Sequence, residues 1–290
     1  MYKKNKKYFL LHFIVFIFGF TAILGKLITL PSEVLVWYRV LIGTIGLLAI
    51  LVFSRISLTI RKHQLFSYLS VGVLIAIHWV TFFESVKQSN VSVALAAISS
   101  ATLFTSLLEP LFFKRKIRIY EIVFGVFIMI GLYLIFNFET HYQLGLILGI
   151  TSAFFASSFT VLNGILVKNN EAKIISIYEL TGAFIVLSVY LFLNSSIRFE
   201  SFSLTYSNFF YLLILGLVCT TFAFVASVEV MKELSPFTVS LTINLEPVYG
   251  IIIAVILFGE SEKMTSGFYW GTLLILGTLF ANAWFKKKKI

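Results

Sequence analysis

The chain has 290 residues, 59% of them apolar and only 12% charged. A soluble domain averages roughly 45–50% apolar and about 25% charged. A soluble fold could not hide the surplus, 32 Phe included, so lipid is the solvent that fits. The net charge of +10 would suit a nucleic-acid binder, but the basic residues sit in short clusters between apolar runs, which points to topology and anionic-lipid contact instead.

A spanning helix needs roughly 20 apolar residues, and ten such runs follow in order. The first, Tyr8–Leu30, follows Lys3, Lys4, Lys6 and Lys7. It runs past Leu24 without a small-x-small cleavage site, so it reads as a retained helix rather than a signal peptide. Glu33–Ser54 ends near Arg55, Arg61 and Lys62, and Leu65–Val86 carries His78 and Trp79 near its middle. Val91–Phe113 runs into Lys114, Arg115, Lys116 and Arg118, and Tyr120–Phe136 closes the first half. Leu144–Val167 and Ile174–Leu193 flank Lys168 and Lys173. A polar connection, Asn194–Ser207, is expected to lie flat at the surface. Asn208–Val230 holds the single cysteine, Cys219, which rules out an intramolecular disulfide. Phe237–Phe258 and Gly267–Phe285 complete the set before Lys286–Lys289.

With the N-terminus in the cytoplasm, about 18 of the 23 basic residues fall on the cytoplasmic side. That predicts a multi-pass protein of the plasma or inner membrane with both termini cytoplasmic. Asn90-Val-Ser and Asn194-Ser-Ser would be outer-side glycosylation sequons in a secretory pathway.

The chain also repeats. A shift of 146 positions lays Gly125 and Gly131 on Gly271 and Gly277, and Ser89, Val93 and Leu95 on Ser235, Val239 and Leu241. A slightly smaller shift lays Tyr38 on Tyr178 and Arg39 on Glu179. Leu108-Glu109-Pro110 matches Leu245-Glu246-Pro247, but that alignment would set a helix end against a helix middle and is treated as coincidence. An odd number of helices per repeat inverts the second copy. The fold class is therefore all-α integral membrane, with ten transmembrane helices as two inverted five-helix repeats, residues 1–138 and 139–290. Inverted repeats recur in secondary transporters, whose site lies near the midplane between the halves.

Two segments carry a family likeness. One is Leu234-Ser-Pro-Phe-Thr-Val-Ser-Leu-Thr-Ile-Asn-Leu-Glu-Pro247 followed by Leu257-Phe-Gly-Glu260; the other is Gly267, Gly271 and Gly277. The sequence resembles the drug/metabolite transporter superfamily, EamA-type, over nearly its whole length. The resemblance implies two inverted repeats, cytoplasmic termini, alternating access and export of amino acids or other small metabolites. The first half departs from the pattern, with Ala101 where a Pro is common and Phe113-Lys114 where Gly-Glu is common.

Ionisable groups deep in a span each need a reason, since insertion costs roughly 2.5–3.5 kcal/mol. Glu246 stands mid-helix before Pro247, and reads either as a cavity carboxylate for a substrate amine or a proton, or as a structural acid. His78 and Trp79 suit a cavity wall, or else packing. Asn163 and Asn244 offer amide donors and acceptors, while Thr21, Ser99, Ser100, Thr102, Ser157 and Ser158 suit close helix packing. Tyr249 shares a helix face with Glu246. Tyr38 and Tyr178 read as interfacial anchors. Lys26, Arg39, Glu84 and Lys87 lie toward the outer helix ends as a candidate gate, with Arg39 and Glu84 the expected pair and Glu179 the opposite gate; snorkelling at the interface is the alternative. There is no Walker loop, no metal-ligand spacing and no nucleophile constellation, so neither an enzyme nor a cofactor is expected.

The reading is a secondary transporter exporting small metabolites, amino acids first among them, in contact with the lipid bilayer and with room for proton coupling. A drug or cation exporter is the alternative within transport. A lipid-acting enzyme and a non-transporting scaffold are the alternatives outside it.

Overall fold

A computed structural model describes residues 2–116, 119–194 and 198–288. Arg118 and Lys289 of the basic clusters and the two serines of the Asn194 sequon lie outside the described residues.

The described residues are helical from end to end and group into ten segments. α1 is Tyr2–Gly19 and Thr21–Leu27, α2 is Ser32–Phe53, and α3 is Lys62–Gln88. α4 is Val91–Ile98 and Ala101–Phe112, and α5 is Ile119–Phe138. α6 is Gln143–Leu166 and α7 is Ala172–Leu193. α8 runs from Tyr206–Leu213 through a π-helical stretch, Ile214–Phe222, into Ala223–Val230. α9 is Pro236–Ile243 and Glu246–Phe258, and α10 is Ser266–Lys288. Eight of the segments are 22–27 residues long and apolar enough to cross a membrane, and Ile122–Phe138 within α5 is a shorter apolar helix. Large apolar side chains such as Phe9, Phe53, Phe66, Tyr133, Ile256 and Trp270 face outward, as lipid contact requires.

The packing has the two-fold pattern of an inverted repeat. α3 lies between α6 and α7, and its mate α8 lies between α1 and α2. Helices α4 and α9 cross antiparallel, the first arm of each against the second arm of the other, and α5 packs on α10. The side chains agree. Tyr38 donates to the Phe202 carbonyl at 2.8 Å and Tyr178 donates to the Leu58 carbonyl at 2.6 Å. These repeat mates thus pin mirror-related loops. The connection after α7 accordingly folds back onto Trp37 and Tyr38 instead of lying flat.

One part of the repeat register needs correcting. Asn90 and Ser235 are the N-caps of α4 and α9, and Lys114 (φ 51°) and Gly259 (φ 55°) are the left-handed residues that end them. Those pairs fix the shift for these helices at 145, one less than the sequence suggested. Ala101 is therefore the counterpart of Glu246, not of Pro247. The Leu-Glu-Pro triplets do not superpose: Glu246 starts the second arm of α9, whereas Glu109 sits well inside the second arm of α4. Asn90 is 2% exposed and accepts from the Val93 amide at 2.9 Å, so its side chain is committed to the cap.

Close approach rests on small residues. A Cβ on Gly131 would lie 2.8 Å from the Gly271 carbonyl, and one on Gly271 would lie 2.6 Å from the Gly131 carbonyl. Only glycine permits that crossing of α5 and α10. Gly125 and Gly277, their repeat partners, make no such contact with each other.

Candidate functional site

Three helices are broken near mid-span, and the breaks converge. α1 is interrupted at Phe20, α4 at Ser99-Ser100 and α9 at Asn244-Leu245. In the latter two, serine and asparagine side chains compete with the helical ladder, and Pro247 withholds an amide donor. The π stretch of α8 lies against α2. Irregular backbone at membrane depth is tolerated only where protein or a cavity takes up the freed polar groups.

A cavity of about 100 Å³ opens at these breaks, lined by Thr21, Arg39, His78, Trp79, Phe82, Phe159, Asn163, Phe224, Asn244, Glu246 and others. It continues through Ser227, Met231 and Val239 toward the Lys168 and Lys232 end of the molecule.

Arg39 is the residue sequence reasoning placed least well. It forms part of the cavity wall, 3% exposed, with its guanidinium 3.9 Å from the Trp79 ring and 5.6 Å from Phe83. Nε donates to Thr220 Oγ1 at 2.8 Å. The π stretch sets that partner, because Thr220 Oγ1 itself donates back to the Leu215 carbonyl, five residues earlier, at 2.9 Å. The expected pair with Glu84 does not form. Glu84 accepts from Ser32 at 2.6 Å and from Gln88 at 2.7 Å, tying the tops of α2 and α3, while Arg39 turns inward onto Trp79.

Glu246 shares the cavity with Arg39. It is 7% exposed and accepts a 3.5 Å contact from Thr21 Oγ1 across the α1 break. Asn244, at the end of the first arm of α9, donates to Thr102 of α4. His78 Nδ1 lies 3.0 Å from the Ser152 carbonyl and 2.7 Å from Ser152 Oγ. A carbonyl can only accept, so the proton sits on Nδ1 and the ring is fixed in one tautomer. Trp79, Phe159 and Phe224 form an edge-to-face aromatic wall, with centroids 5.7 and 6.2 Å apart. Asn163 lines the cavity and donates from Nδ2 to Glu179 Oε2 at 3.3 Å; Glu179 itself is fully buried behind it. Tyr249 does not line the cavity. It packs on α1, its Cβ 3.1 Å from where a Gly19 Cβ would stand and its ring 5.7 Å from Phe16. Three residues turn a helix by about 300°, so Tyr249 stands about 60° round from Glu246 on the same arm, far enough to face α1 instead of the cavity. Tyr249→Phe is accordingly expected to leave transport kinetics unchanged, and a raised KM in a flux assay would return Tyr249 to the site.

The profile of the EamA-like transporter family matches residues 5–137 and again 143–284. The chain belongs to that family. It is 24% identical over 253 residues to a Bacillus subtilis (strain 168) protein named uncharacterized transporter YxxF, covering 84% of this chain and 79% of the other. It is 22% identical over 292 residues to the uncharacterized transporter YoaV of the same organism, covering 96% and 97%. A solved crystal structure shares the fold with a TM-score of 0.70 at 13% identity, covering 95% of this chain and 96% of that one.

This EamA-like protein is a multi-pass membrane transporter, and α1, α4 and the turn after α9 are tied together by Glu262, an acid the sequence did not single out. Glu262, 1% exposed, accepts from the amides of Val91 and Ser92 at 3.2 and 2.9 Å and from Ser92 Oγ at 2.7 Å. Lys26 reaches it at 2.7 Å and lies 4.3 Å from the Phe258 ring. The family-like Gly-Glu drew attention to Glu260, yet Glu260 is exposed and pairs with Lys263. Glu109 plays the related part at the other end, accepting from the Phe237 amide at 2.5 Å and from Arg115 at 3.3 Å. Both acids complement the unpaired amides at the start of a helix far away in the chain. Lys87 caps the Leu30 carbonyl and takes no part in an ion pair among the described residues.

Proposed function

We propose that this transporter exports amino acids or closely related amphoteric metabolites by alternating access, with residues 1–138 and 139–290 rocking about the cavity. The supporting observation is the pairing of one guanidinium and one carboxylate, Arg39 and Glu246, in a single aromatic-walled cavity without an ion pair between them. A buried charge needs a partner, and a zwitterion supplies both: its carboxylate to Arg39 and its ammonium to Glu246. Asn244 and the rings of His78 and Trp79 would shape the remaining wall. The cavity's volume of about 100 Å³ is below the roughly 300–1,000 Å³ of drug-sized sites. That and the presence of Arg39 weigh against the drug or lipophilic-cation exporter. The excess of basic residues on one side supports cytoplasmic termini in a plasma or inner membrane, and the buried carboxyl groups leave room for proton coupling.

The test is counterflow of labelled amino acids in proteoliposomes. Glu246→Gln keeps shape but removes the counter-charge, so counterflow is expected to fall by about 10–100-fold, the equivalent of one charge-assisted hydrogen bond at about 1.5–3 kcal/mol. Wild-type flux of every amino acid tried, unchanged in Glu246→Gln, would sink the binding role.

A further inference from the structure

We infer that Glu179 carries the proton of a proton-coupled cycle, exchanging it with the cavity past Asn163. The inference rests on the amphoteric-substrate reading but concerns a carboxyl group that does not line the cavity.

Glu179 lies on α7 with its side chain fully buried. Its one hydrogen bond is the 3.3 Å contact from Asn163 Nδ2 to Oε2. Oε1 has no partner among the described residues, and neither do Asn163 Oδ1 and Ser176 Oγ, all three buried. Three orphaned oxygens in one place call for an explanation, because native interiors rarely leave such groups unmade. Asn163 comes from α6 and Ser176 stands one turn before Glu179 on α7. The titratable neighbour is Tyr68 of α3, whose hydroxyl is contacted by Gln64 at 3.4 Å. No charged side chain among the described residues forms an ion pair or hydrogen bond with Glu179.

An ionised carboxylate in that setting would cost several kcal/mol with only one long hydrogen bond to offset it. A proton on Oε1 removes the charge and turns an orphaned acceptor into a donor for Asn163 Oδ1 or Ser176 Oγ. A hard cation would want six or more oxygens, more than this cluster's side chains offer.

The repeat supplies the second half of the argument. Glu179 is the mate of Arg39, and the two have the same backbone setting. A Cβ on Gly72 of α3 would lie 2.2 Å from the Glu179 carbonyl, and one on Gly216 of α8 would lie 3.3 Å from the Arg39 carbonyl. In an inverted-repeat carrier the two access states correspond to the halves exchanging conformations. Arg39 faces the cavity here while Glu179 is shut behind Asn163. The exchanged state brings Glu179 to the wall. A group that meets the water of one side in each state is what a proton carrier needs: here the proton exchanges with the cavity past Asn163, which lines it and contacts Glu179, and in the exchanged state Glu179 stands at the wall and exchanges with water from the opposite side.

Proteoliposomes loaded with the pH dye pyranine test this, with labelled amino acid as the substrate. Wild type is expected to accumulate substrate under an imposed pH gradient and to move protons with it. Glu179→Gln is expected to keep counterflow but to lose both gradient-driven accumulation and the proton signal, and Glu179→Asp to regain both. Accumulation by Glu179→Gln at the wild-type level would overturn the inference. So would loss of counterflow in Glu179→Gln, which would make Glu179 structural, or a requirement for a sodium gradient in place of a pH gradient. Wild type that shows counterflow but ignores the pH gradient overturns this inference alone; wild type that moves no amino acid overturns the substrate reading and this one with it.

Discussion

Arg39→Lys is expected to raise the KM of counterflow about 100-fold while leaving the protein folded. Lysine keeps the charge and loses the geometry. The guanidinium carbon lies 3.9 Å from the Trp79 ring centroid, Nε is anchored to Thr220 at 2.8 Å, and the residue lines the cavity. A desolvated cation–π contact is worth about 2 kcal/mol, and an ammonium on a flexible stem cannot combine it with a fixed fork of donors. A charged hydrogen bond weakened by about 1 kcal/mol, since the ammonium still donates, brings the loss to about 3 kcal/mol, two decades in affinity. Counterflow measured over a range of substrate concentrations gives KM directly, and an unaltered gel-filtration profile checks the fold. A KM within threefold or so of wild type, less than about 0.7 kcal/mol, would remove Arg39 from substrate binding.

Gly72→Ala is expected to be among the most damaging single-methyl changes in the chain. The added Cβ would meet the Glu179 carbonyl at 2.2 Å and the Ala183 amide nitrogen at 2.8 Å. Both are backbone atoms inside α7, so no side chain can swing away, and α3 and α7 must separate. Overpacking of this kind costs about 1–3 kcal/mol and more where backbone must move. Gly277→Ala is the control, since nothing lies within 4 Å of that site, and alanine there should gain up to about 1 kcal/mol of helix propensity. Thermal unfolding in detergent should therefore show opposite shifts for the two variants. Equal melting temperatures would mean that α3 and α7 do not pack this tightly in solution.

The lipid solvent, the spans and the inverted repeat were legible because each leaves a long pattern: apolar runs, basic loops, and paired features such as Tyr38 and Tyr178. Register within the repeat was harder. Caps and left-handed helix ends, which fix it, are single residues, and Lys114 gives no hint that it matches Gly259 in backbone conformation. Glu246, Asn244, His78, Trp79 and Asn163 line the cavity because depth alone places them near mid-span. Arg39 was paired with Glu84 for the same reason. Its depth from the helix end suggested the outer surface, but its direction depends on Thr220, which a π stretch in α8 turns toward it. Tyr249 shows the converse error, where a neighbouring position on one helix was taken for a shared cavity wall. Glu262 was missed because its partners are backbone amides from a helix far away in sequence, and backbone amides have no letter in the sequence.

That last contact has a thermodynamic consequence. Two backbone amides, one hydroxyl and Lys26 all spend their hydrogen bonds on one buried carboxylate between α1, α4 and the turn after α9. Parting those helices would leave the positive end of α4 uncompensated until water reached it. On the alternating-access reading, at about 1.5–3 kcal/mol per charged hydrogen bond, the cluster holds the molecule on one side of its access equilibrium by several kcal/mol. Inverting a 99:1 population takes about 5.5 kcal/mol. The occupancy of the two access states would then be set at a helix terminus whose residues do not line the cavity.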